Sequence, residues 1–541
     1  LLNIGYLFGQ TTASFTAPDT VCVNAPVNVV NTSAGASSYY WNFCTGNLHQ
    51  PPQGMNVGNI GNAMDGPVYI DYVEQNGNYY AFVTDNHVRN LYRLDFGNSL
   101  LNTPTLVNLG NAGGVIPQAA EGIQVVKNEG KWYAIIVGGH LNGGVPSTIV
   151  KLDFGPDITN TNPIGTDWGN IGNLAYPHDL YLFEESGQWY GFTTNSDNNT
   201  ITRFSFGASF DNTPTGINLG NLGNMLGPTG IQAINHNGNW HVFVTNANNS
   251  TITRLDFGNS LLNTPTPVNL GNIGNTMHTC WDIYIMKFCG EILGYVINAD
   301  PNYHDIVKLD FHNDLDSVPT GVSFGNIGNL SFPHAISKMF RDGADLYAFV
   351  PNVNNSSLTR LRFAGCNNSS IPDFNGHTPP TIQYNQPGTY NITLTVDEGL
   401  PTQTSYCKQV VVVQMEQRPT DTLRTCSGDS IKIGSSYPQA SWLWNTGAIT
   451  DSVYAYPGNT YWVTTTKYGC SSTDTFRTTS TRQLMDFAFV QAPCNPLSVE
   501  FASTGTANTD PHWSLGDGNT VSGQLAISHL YAGTGDYEVS F

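Results

Sequence analysis

Six residue pairs stand at equivalent positions in six similar repeats of this chain, and their chemistry differs between repeats. The pairs are Val68-Tyr69, Glu121-Gly122, His178-Asp179, Thr229-Gly230, Trp281-Asp282 and His334-Ala335. Because the surrounding turns are nearly identical, this divergence predicts a polar and aromatic pocket for a sugar stacked on an indole, or for a cation held by carboxylates. The alternative is that the side chains only fill a channel and hydrogen-bond to strand edges. The predicted ligand-binding residues are Glu121, His178, Asp179, Thr229, Trp281, Asp282 and His334.

No local pattern in the sequence predicts catalysis. The chain contains no GxSxG, no HExxH and no glycine-rich loop that leads into a helix and could hold a phosphate. Carboxylate pairs for glycoside hydrolysis are defined by a distance, which a sequence does not contain. The sequence therefore predicts a protein without a catalytic residue.

A seven-residue segment recurs six times and defines the repeats that must position these pairs. It reads "NLGNIGN" at 269–275, and near-copies begin at Asn56, Asn108, Asp167, Asn218 and Ser323. A second marker, "LDFG" at 255–258, recurs with a period of about 51 to 58 residues. The glycines permit positive φ and the asparagines can cap turns, so the segments should connect successive strands.

Each repeat reads as four short strands. In the fourth repeat these are "GIQAI" (230–234), "WHVFVTN" (240–246), "TITRLDFG" (251–258) and "TPVNLGN" (266–272). Four strands per repeat predict a six-bladed β-propeller over residues 47–366, with an open β-solenoid as the alternative. The last repeat lacks a fourth strand, which "QPPQGMNVGNIGN" (50–62) can supply to close the ring.

Segments on both sides of the propeller complete one β-sandwich, predicted over 11–46 plus 367–415 with Trp41 in its core. "WNFCTG" (41–46) and "IQYNQPGTYNITLTV" (382–396) resemble the PKD domain, an Ig-like module. A more intact copy, "WSLGDG" (513–518) with "SHLYAGTGDYEVSF" (528–541), identifies 483–541 as a truncated PKD domain. An Ig/PKD-like sandwich is predicted at 416–482, and residues 1–10 could be the end of a signal peptide.

The nine cysteines form no CxxC pair, which favours disulfides in an oxidising compartment over a zinc site. The domain boundaries leave Cys494 without a partner. The predicted pairs are Cys22–Cys407, Cys44–Cys366, Cys280–Cys289 and Cys426–Cys470.

Composition excludes several classes of partner. The formal charge of −20 argues against binding to nucleic acid or anionic lipid, and no long apolar run predicts membrane insertion. No cofactor is expected, although Gly516-Asp517-Gly518 could contribute ligands to Ca²⁺ instead of forming a plain turn.

PKD-type sandwiches with "LDFGNSL…NLGN" repeats resemble the large surface and secreted proteins of Bacteroidetes exported by the type IX system. The resemblance implies a cell-surface or extracellular location. The sequence thus predicts a non-enzymatic adhesin or appendage module, a propeller head on a rod of Ig-like domains, which contacts a glycan or protein receptor. The alternatives are a carbohydrate-active enzyme or lectin with its site at the mouth of the propeller channel, and an assembly unit of a homo-oligomeric appendage.

Overall fold

The computed structural model describes residues 11–140, 144–398, 404–426, 428–435, 437–481, 485–505 and 510–541. The prediction for residues 1–10 lies outside this range. The described residues form strands and short 3-10 turns, which confirms the all-β class. The chain divides into two compact units, one holding Pro26–Val411 with the residues up to Asp19, the other Thr20–Ala25 with Val412–Phe541.

Six four-stranded antiparallel sheets follow one another in the first unit, as in a β-propeller. Sheets 1 to 3 consist of Pro67–Gln75, Asn78–Asp85, Leu91–Gly97 and Thr105–Asn108; Ala120–Asn128, Lys131–Gly138, Thr148–Gly155 and Ile164–Asp167; and Pro177–Glu185, Gln188–Asn195, Thr200–Gly207 and Thr215–Gly220. Sheets 4 and 5 consist of Pro228–His236, Asn239–Asn246, Thr251–Gly258 and Thr266–Gly271; and Cys280–Phe288, Glu291–Asp300, Tyr303–Asp310 and Thr320–Ser323. The four strands predicted for the fourth repeat are those of sheet 4.

Sheet 6 is built from two distant parts of the chain. Its strands are Phe340–Asp342, Asp345–Asn352, Ser357–Phe363 and, from before sheet 1, Gln53–Gly58. In this last pairing Leu358 lies opposite Gly58 and Arg362 opposite Gln53. The N-terminal segment therefore supplies the fourth strand of the last sheet, as predicted, and the pairing covers a strand edge that would otherwise be free.

The recurring asparagines explain why the seven-residue segment repeats. Asn272 is a clamp: its Oδ1 accepts the Met277 backbone N–H at 2.9 Å and its Nδ2 donates to the Met277 carbonyl at 2.9 Å. Asn269 accepts the Gly271 N–H at 2.8 Å, and Gly271 has φ 71°. Equivalent clamps are formed by Asn59, Asn170, Asn221 and Asn326. The segment thus turns the chain from the last strand of one sheet to the first of the next.

The core lies between adjacent sheets. Phe183 and Phe192 of sheet 3 pack in one cluster with Ile231, Val242 and Leu255 of sheet 4. A strand whose two faces both pack against neighbouring sheets does not alternate between apolar and polar residues. The second strand of each sheet is therefore buried along almost its whole length. Each such side chain contributes about 1.5–3 kcal/mol of apolar burial.

One sheet combines strands from both sides of the propeller, as the predicted split domain requires. Its strands run in the order Thr404–Val413, Gly388–Val396, Tyr39–Asn42 and Asp373–Asn375, and a two-stranded sheet pairs Phe15–Thr16 with Val30–Asn31. Trp41 is fully buried, and its indole N–H donates to the Gly376 carbonyl at 3.0 Å.

The second unit holds the remaining strands. They are Thr20–Cys22, Asp421–Cys426, Ile431–Gly434, Ser441–Trp444, Ser452–Ala455, Thr460–Lys467, Cys470–Thr481, Phe487–Ala492, Asn495–Ser503, His512–Ser514, Thr520–Ser522 and Ala526–Leu530. Trp444 and Trp513 are the buried centres of two separate apolar clusters. No helix among the described residues is long and apolar enough to cross a membrane.

Three disulfides are present, and one of the four predicted pairs is confirmed. Cys44 bonds Cys366, where the chain enters and leaves the propeller. The other bonds are Cys22–Cys470 and Cys289–Cys407. Three predicted pairs are wrong: Cys22–Cys407, Cys280–Cys289 and Cys426–Cys470. The turn that carries Cys289 contacts the strand of Cys407, and Cys22 takes Cys470 as its partner. The remaining cysteines, Cys280, Cys426 and Cys494, are free.

Candidate functional site

The first strands of the sheets surround a central channel. It contains a cavity of about 270 Å³. Sheets 1 to 5 and the segment just before the first strand of sheet 6 contribute lining residues, which are Tyr69, Ile70, Asp71, Ile123, Gln124, Asp179, Tyr181, Ile231, Gln232, Asp282, Ile283, Tyr284, Ala335, Ile336 and Lys338. The channel therefore brings side chains from distant repeats into one small volume.

Glu121 lies at the centre of a second group, at the end of the channel where the first strands begin. Its side chain is fully buried, and its Oε1 accepts the Tyr176 hydroxyl at 3.1 Å and the Asn86 amide. Its Oε2 has no hydrogen-bond partner within the described part of the chain. Burial raises the Glu121 pKa well above its ordinary value, although both hydrogen bonds to Oε1 oppose this. Glu121 is therefore a carboxylic acid that stays protonated to unusually high pH.

Two imidazoles face the free oxygen of Glu121. The Nδ1 atoms of His178 and His334 each lie 3.7 Å from Oε2, beyond hydrogen-bond distance. Burial lowers the His178 pKa to about 3 and lowers that of His334 well below its usual value. Both imidazoles are thus neutral at physiological pH, and neither Nδ1 has a partner among the described residues.

Aromatic rings enclose this group. Trp281 lies 4.5 Å from His334 and 5.5 Å from Phe332 between ring centroids, and Tyr176 lies 4.3 Å from His178. The Trp281 indole N–H is buried and unpaired in the described structure. Tyr176 and Phe332 have φ 49° and 51°, a left-handed backbone that costs an aromatic residue about 1–3 kcal/mol.

Asp179 and Asp282 both line the cavity of the channel. Burial is the main cause that raises the Asp179 pKa well above normal and the Asp282 pKa to about 7. The two carboxyls thus hold a proton near neutrality. Each also joins two sheets, because Asp179 Oδ2 accepts the Ile231 N–H at 2.9 Å and Asp282 Oδ2 accepts the Ile336 N–H at 2.8 Å.

Between each pair of neighbouring sheets, one side chain near the channel connects the first strand of one sheet to the next. Besides the two aspartates, Asp71 accepts the Val125 N–H, Gln124 that of Leu182 and Gln232 that of Ile285. Sheet 6 is joined back to sheet 1 by the ion pair of Lys338 Nζ with Asp71 Oδ1 at 2.9 Å. The prediction that channel side chains hydrogen-bond to strand edges therefore describes Asp179 and Asp282.

The structure brings together four of the seven predicted ligand-binding residues: Glu121, His178, Trp281 and His334. Thr229 is taken up by structural contacts, since its hydroxyl lies 3.1 Å from that of Thr245 and 3.3 Å from the Cys280 carbonyl. Sequence reasoning missed Tyr176. It also missed Phe332, at the equivalent position of the sixth repeat. The signal was present, because the other four equivalent positions hold small side chains, namely Gly66, Ala119, Gly227 and Thr279.

The predicted cation sites do not form as expected. One group of described side chains could hold a metal, namely His241, Asp256 and Asp316, and it contains none of the channel carboxyls. Arg254 already donates to both Asp256 oxygens, at 2.7 and 2.9 Å. In the Gly516–Gly518 turn the Asp517 carboxylate instead pairs with His529 at 2.7 Å.

No protein-family model and no curated protein matches this chain. Similar solved structures include the catalytic domain of a GH62 α-L-arabinofuranosidase from Coprinopsis cinerea, which is 13% identical with a TM-score of 0.33 and covers 46% of this chain and 92% of that chain. An α-L-arabinofuranosidase from Lactobacillus brevis is 13% identical, with a TM-score of 0.32 and coverage of 50% and 91%. The GH43_1 enzyme from Xanthomonas citri complexed with xylotriose is 9% identical, with a TM-score of 0.33 and coverage of 58% and 89%.

These comparisons contradict two predictions, that of a non-enzymatic adhesin or appendage module and that of a chain without enzymatic activity. The similar structures are glycoside hydrolases. At such low TM-scores they assign neither a substrate nor a catalytic residue to this chain. No local motif marks the channel carboxyls, because they come from separate repeats and approach one another only in the folded protein.

Proposed function

We propose that this chain is a secreted carbohydrate-active enzyme that hydrolyses glycosidic bonds in the channel of a six-bladed β-propeller. The observation that carries the proposal is Glu121, a buried carboxyl whose free oxygen faces two unpaired imidazole nitrogens behind aromatic rings. Glycoside hydrolysis uses carboxyl groups as proton donor and as base or nucleophile. Aromatic side chains supply the apolar faces against which sugar rings pack.

The strand pairing supports six blades in a closed ring. Gln53–Gly58 completes the last sheet, and one cavity is lined by residues of sheets 1 to 5 and of the segment just before sheet 6. The sheet formed by Tyr39–Asn42 with Gly388–Val396 supports a PKD-like sandwich split by the propeller. Further Ig-like or PKD-like sandwiches are proposed over 416–482 and 483–541.

Glu121 is the proposed proton donor to the glycosidic oxygen. A general acid must be protonated at working pH, and burial achieves this for a carboxyl by raising its pKa. The neutral His178 and His334 cannot neutralise Glu121 by forming an imidazolium pair. Substrate would reach Oε2 past the partly exposed rings of Tyr176, Trp281 and Phe332.

The second carboxyl would come from the Asp179–Asp282 pair. Burial raises the Asp282 pKa to about 7, which suits a group that exchanges protons near neutrality. The backbone N–H groups of Ile231 and Ile336 hold the two carboxyls in fixed positions. Three disulfides favour an oxidising, extracellular location for this chemistry.

The test is hydrolysis of a panel of plant and bacterial polysaccharides and of nitrophenyl glycosides, followed by reducing-sugar release. Glu121→Gln keeps the size of the side chain and removes the donor proton, so we expect kcat to fall by about 10²- to 10⁴-fold. Glu129→Gln, in an exposed turn, is the matched control and should retain full activity.

The pH profile provides a second readout if Glu121→Gln alters folding. Wild-type kcat should rise as the Asp179–Asp282 pair loses a proton near neutrality, and it should fall again above the raised pKa of Glu121, where the acid ionises. The proposal is wrong if wild-type protein binds glycans without cleaving any of them, or if Glu121→Gln retains full activity at unchanged thermal stability.

A further inference from the structure

The cavity of the central channel is separate from the group around Glu121. We call it the chamber and define it by its polar lining residues, which are Tyr69, Asp71, Gln124, Asp179, Tyr181, Gln232, Asp282, Tyr284 and Lys338. Glu121, His178 and His334 do not line it. Its volume of about 270 Å³ lies just below the range of pockets for drug-sized ligands, so it suits one small molecule.

The charges of the chamber nearly cancel. Lys338 Nζ lies 2.9 Å from Asp71 Oδ1, so this pair adds no net charge. Burial raises the pKa of Asp179 and that of Asp282, so the two carboxyls are partly protonated near neutrality. A strongly charged ligand would lack a counter-charge here, and burying an unpaired charge is costly. The chamber therefore favours a neutral polar molecule.

The hydrogen bonds that connect neighbouring sheets determine which atoms of the chamber remain available to a ligand. The oxygens of Asp71, Gln124, Asp179, Gln232 and Asp282 already accept backbone N–H groups. The unused groups are mainly donors. Lys338 donates to one partner, and neither the Tyr181 hydroxyl nor the Gln124 amide nitrogen has a protein partner among the described residues.

Tyr69 gives a second sign of a ligand. Its side chain is 3% exposed, and its hydroxyl has no partner in the part of the chain that the structure describes. An unpaired buried hydroxyl costs about 1–3 kcal/mol, so a partner for it would be stabilising. The Tyr181 and Tyr284 rings add aromatic surface to the same lining.

We infer that the chamber is a second binding site of the propeller and takes one neutral sugar unit or a polyol of similar size. Sugar hydroxyl oxygens accept from Tyr181, Gln124 and Lys338, and C–H faces of the ring pack on tyrosine. Cations are disfavoured because the carboxylate oxygens are engaged by backbone N–H groups. The inference rests on the proposed function in one respect, because Asp179 and Asp282 line the chamber and are also the proposed source of the second carboxyl; it adds a class of ligand for this part of the channel.

The test is saturation-transfer NMR and calorimetry on the full chain with D-glucose, D-galactose, D-xylose and L-arabinose. At ~10 mM sugar, a site of millimolar Kd is mostly filled. Tyr181→Phe removes one free donor and should raise Kd about tenfold for the sugar that binds. Tyr181→Trp fills the chamber and should abolish the signal, whereas Tyr303→Phe, at a half-exposed tyrosine, should change nothing.

Glu121→Gln separates this inference from the proposed function. If the chamber binds sugar, the variant loses hydrolysis and keeps monosaccharide binding. The inference is overturned if no sugar gives a signal, if both Tyr181 variants bind like wild type at equal melting temperature, or if Glu121→Gln abolishes binding while Tyr181→Trp does not.

Discussion

At the scale of single residues, the Asp282 carboxyl links the stability of the propeller to pH. Burial raises its pKa to about 7 in the folded chain, whereas an unfolded aspartate has a pKa of about 3.9. Between these values the folded state binds more protons than the unfolded state, so this carboxyl makes stability fall as pH rises from about 4 to about 7. Asp282→Asn is neutral throughout and should gain stability relative to wild type across that window.

The measurement is the difference in melting temperature between Asp282→Asn and wild type at each pH unit from 4 to 8. At about 1.4 kcal/mol per pKa unit, the upper limit of the relative gain is about 4 kcal/mol. The lowered pKa values of His178 and His334 make stability rise with pH, opposite to the effect of Asp282. Wild type and Asp282→Asn share this contribution, so the difference between their melting temperatures removes it. A difference that does not change with pH, as expected for exposed Asp316→Asn, would contradict the assigned pKa.

At the scale of elements, the asparagine clamp fixes each crossing between sheets. Asn272→Ala leaves the Met277 N–H and carbonyl without their partner, and should cost about 1–2 kcal/mol. Asn269 makes one bond, to the Gly271 N–H, so Asn269→Ala should cost less. Hydrogen exchange at the Met277 amide should accelerate in the first variant and stay unchanged in the second. Equal exchange in both variants would show that the clamp does not hold this crossing.

The strands were predictable from sequence because the pattern repeats. Alternation and turn residues located Thr251–Gly258 to the residue and predicted that Gln53–Gly58 completes sheet 6. The first strand of sheet 6 was harder: residues 333–339 carry one isolated bridge, Pro333 to Asn352, and the strand begins only at Phe340. Its sequence departs from the other five repeats, so alignment alone could not locate it.

The candidate site was predictable only in part. Alignment of the repeats brought Glu121, His178, Trp281 and His334 to one end of the channel, because equivalent residues of a closed ring must converge. It could not distinguish these from Asp179 and Asp282, whose oxygens join neighbouring sheets. Which oxygen meets which backbone N–H depends on the stagger between sheets, and a one-dimensional pattern does not contain that stagger.

At the scale of the whole molecule, cysteine pairing escaped prediction for a related reason. Domain boundaries suggest pairs within domains, but Cys289 on a propeller turn bonds Cys407 on the sandwich strand. Peptide mapping without reduction should recover Cys289 linked to Cys407, Cys44 to Cys366 and Cys22 to Cys470. A Cys280–Cys289 peptide would show that the structure assigns this turn incorrectly.

The Cys289–Cys407 bond should stabilise the first unit by holding the propeller against the split sandwich. It closes a separation of 118 residues, for which chain entropy predicts about 3–5 kcal/mol. Cys289→Ala with Cys407→Ala should therefore lower the melting temperature, and Cys426→Ala, at an exposed free thiol, should leave it unchanged. Because the channel residues lie on other elements, hydrolysis by the double variant at low temperature should persist. Loss of activity without loss of stability would mean that the sandwich itself shapes the site.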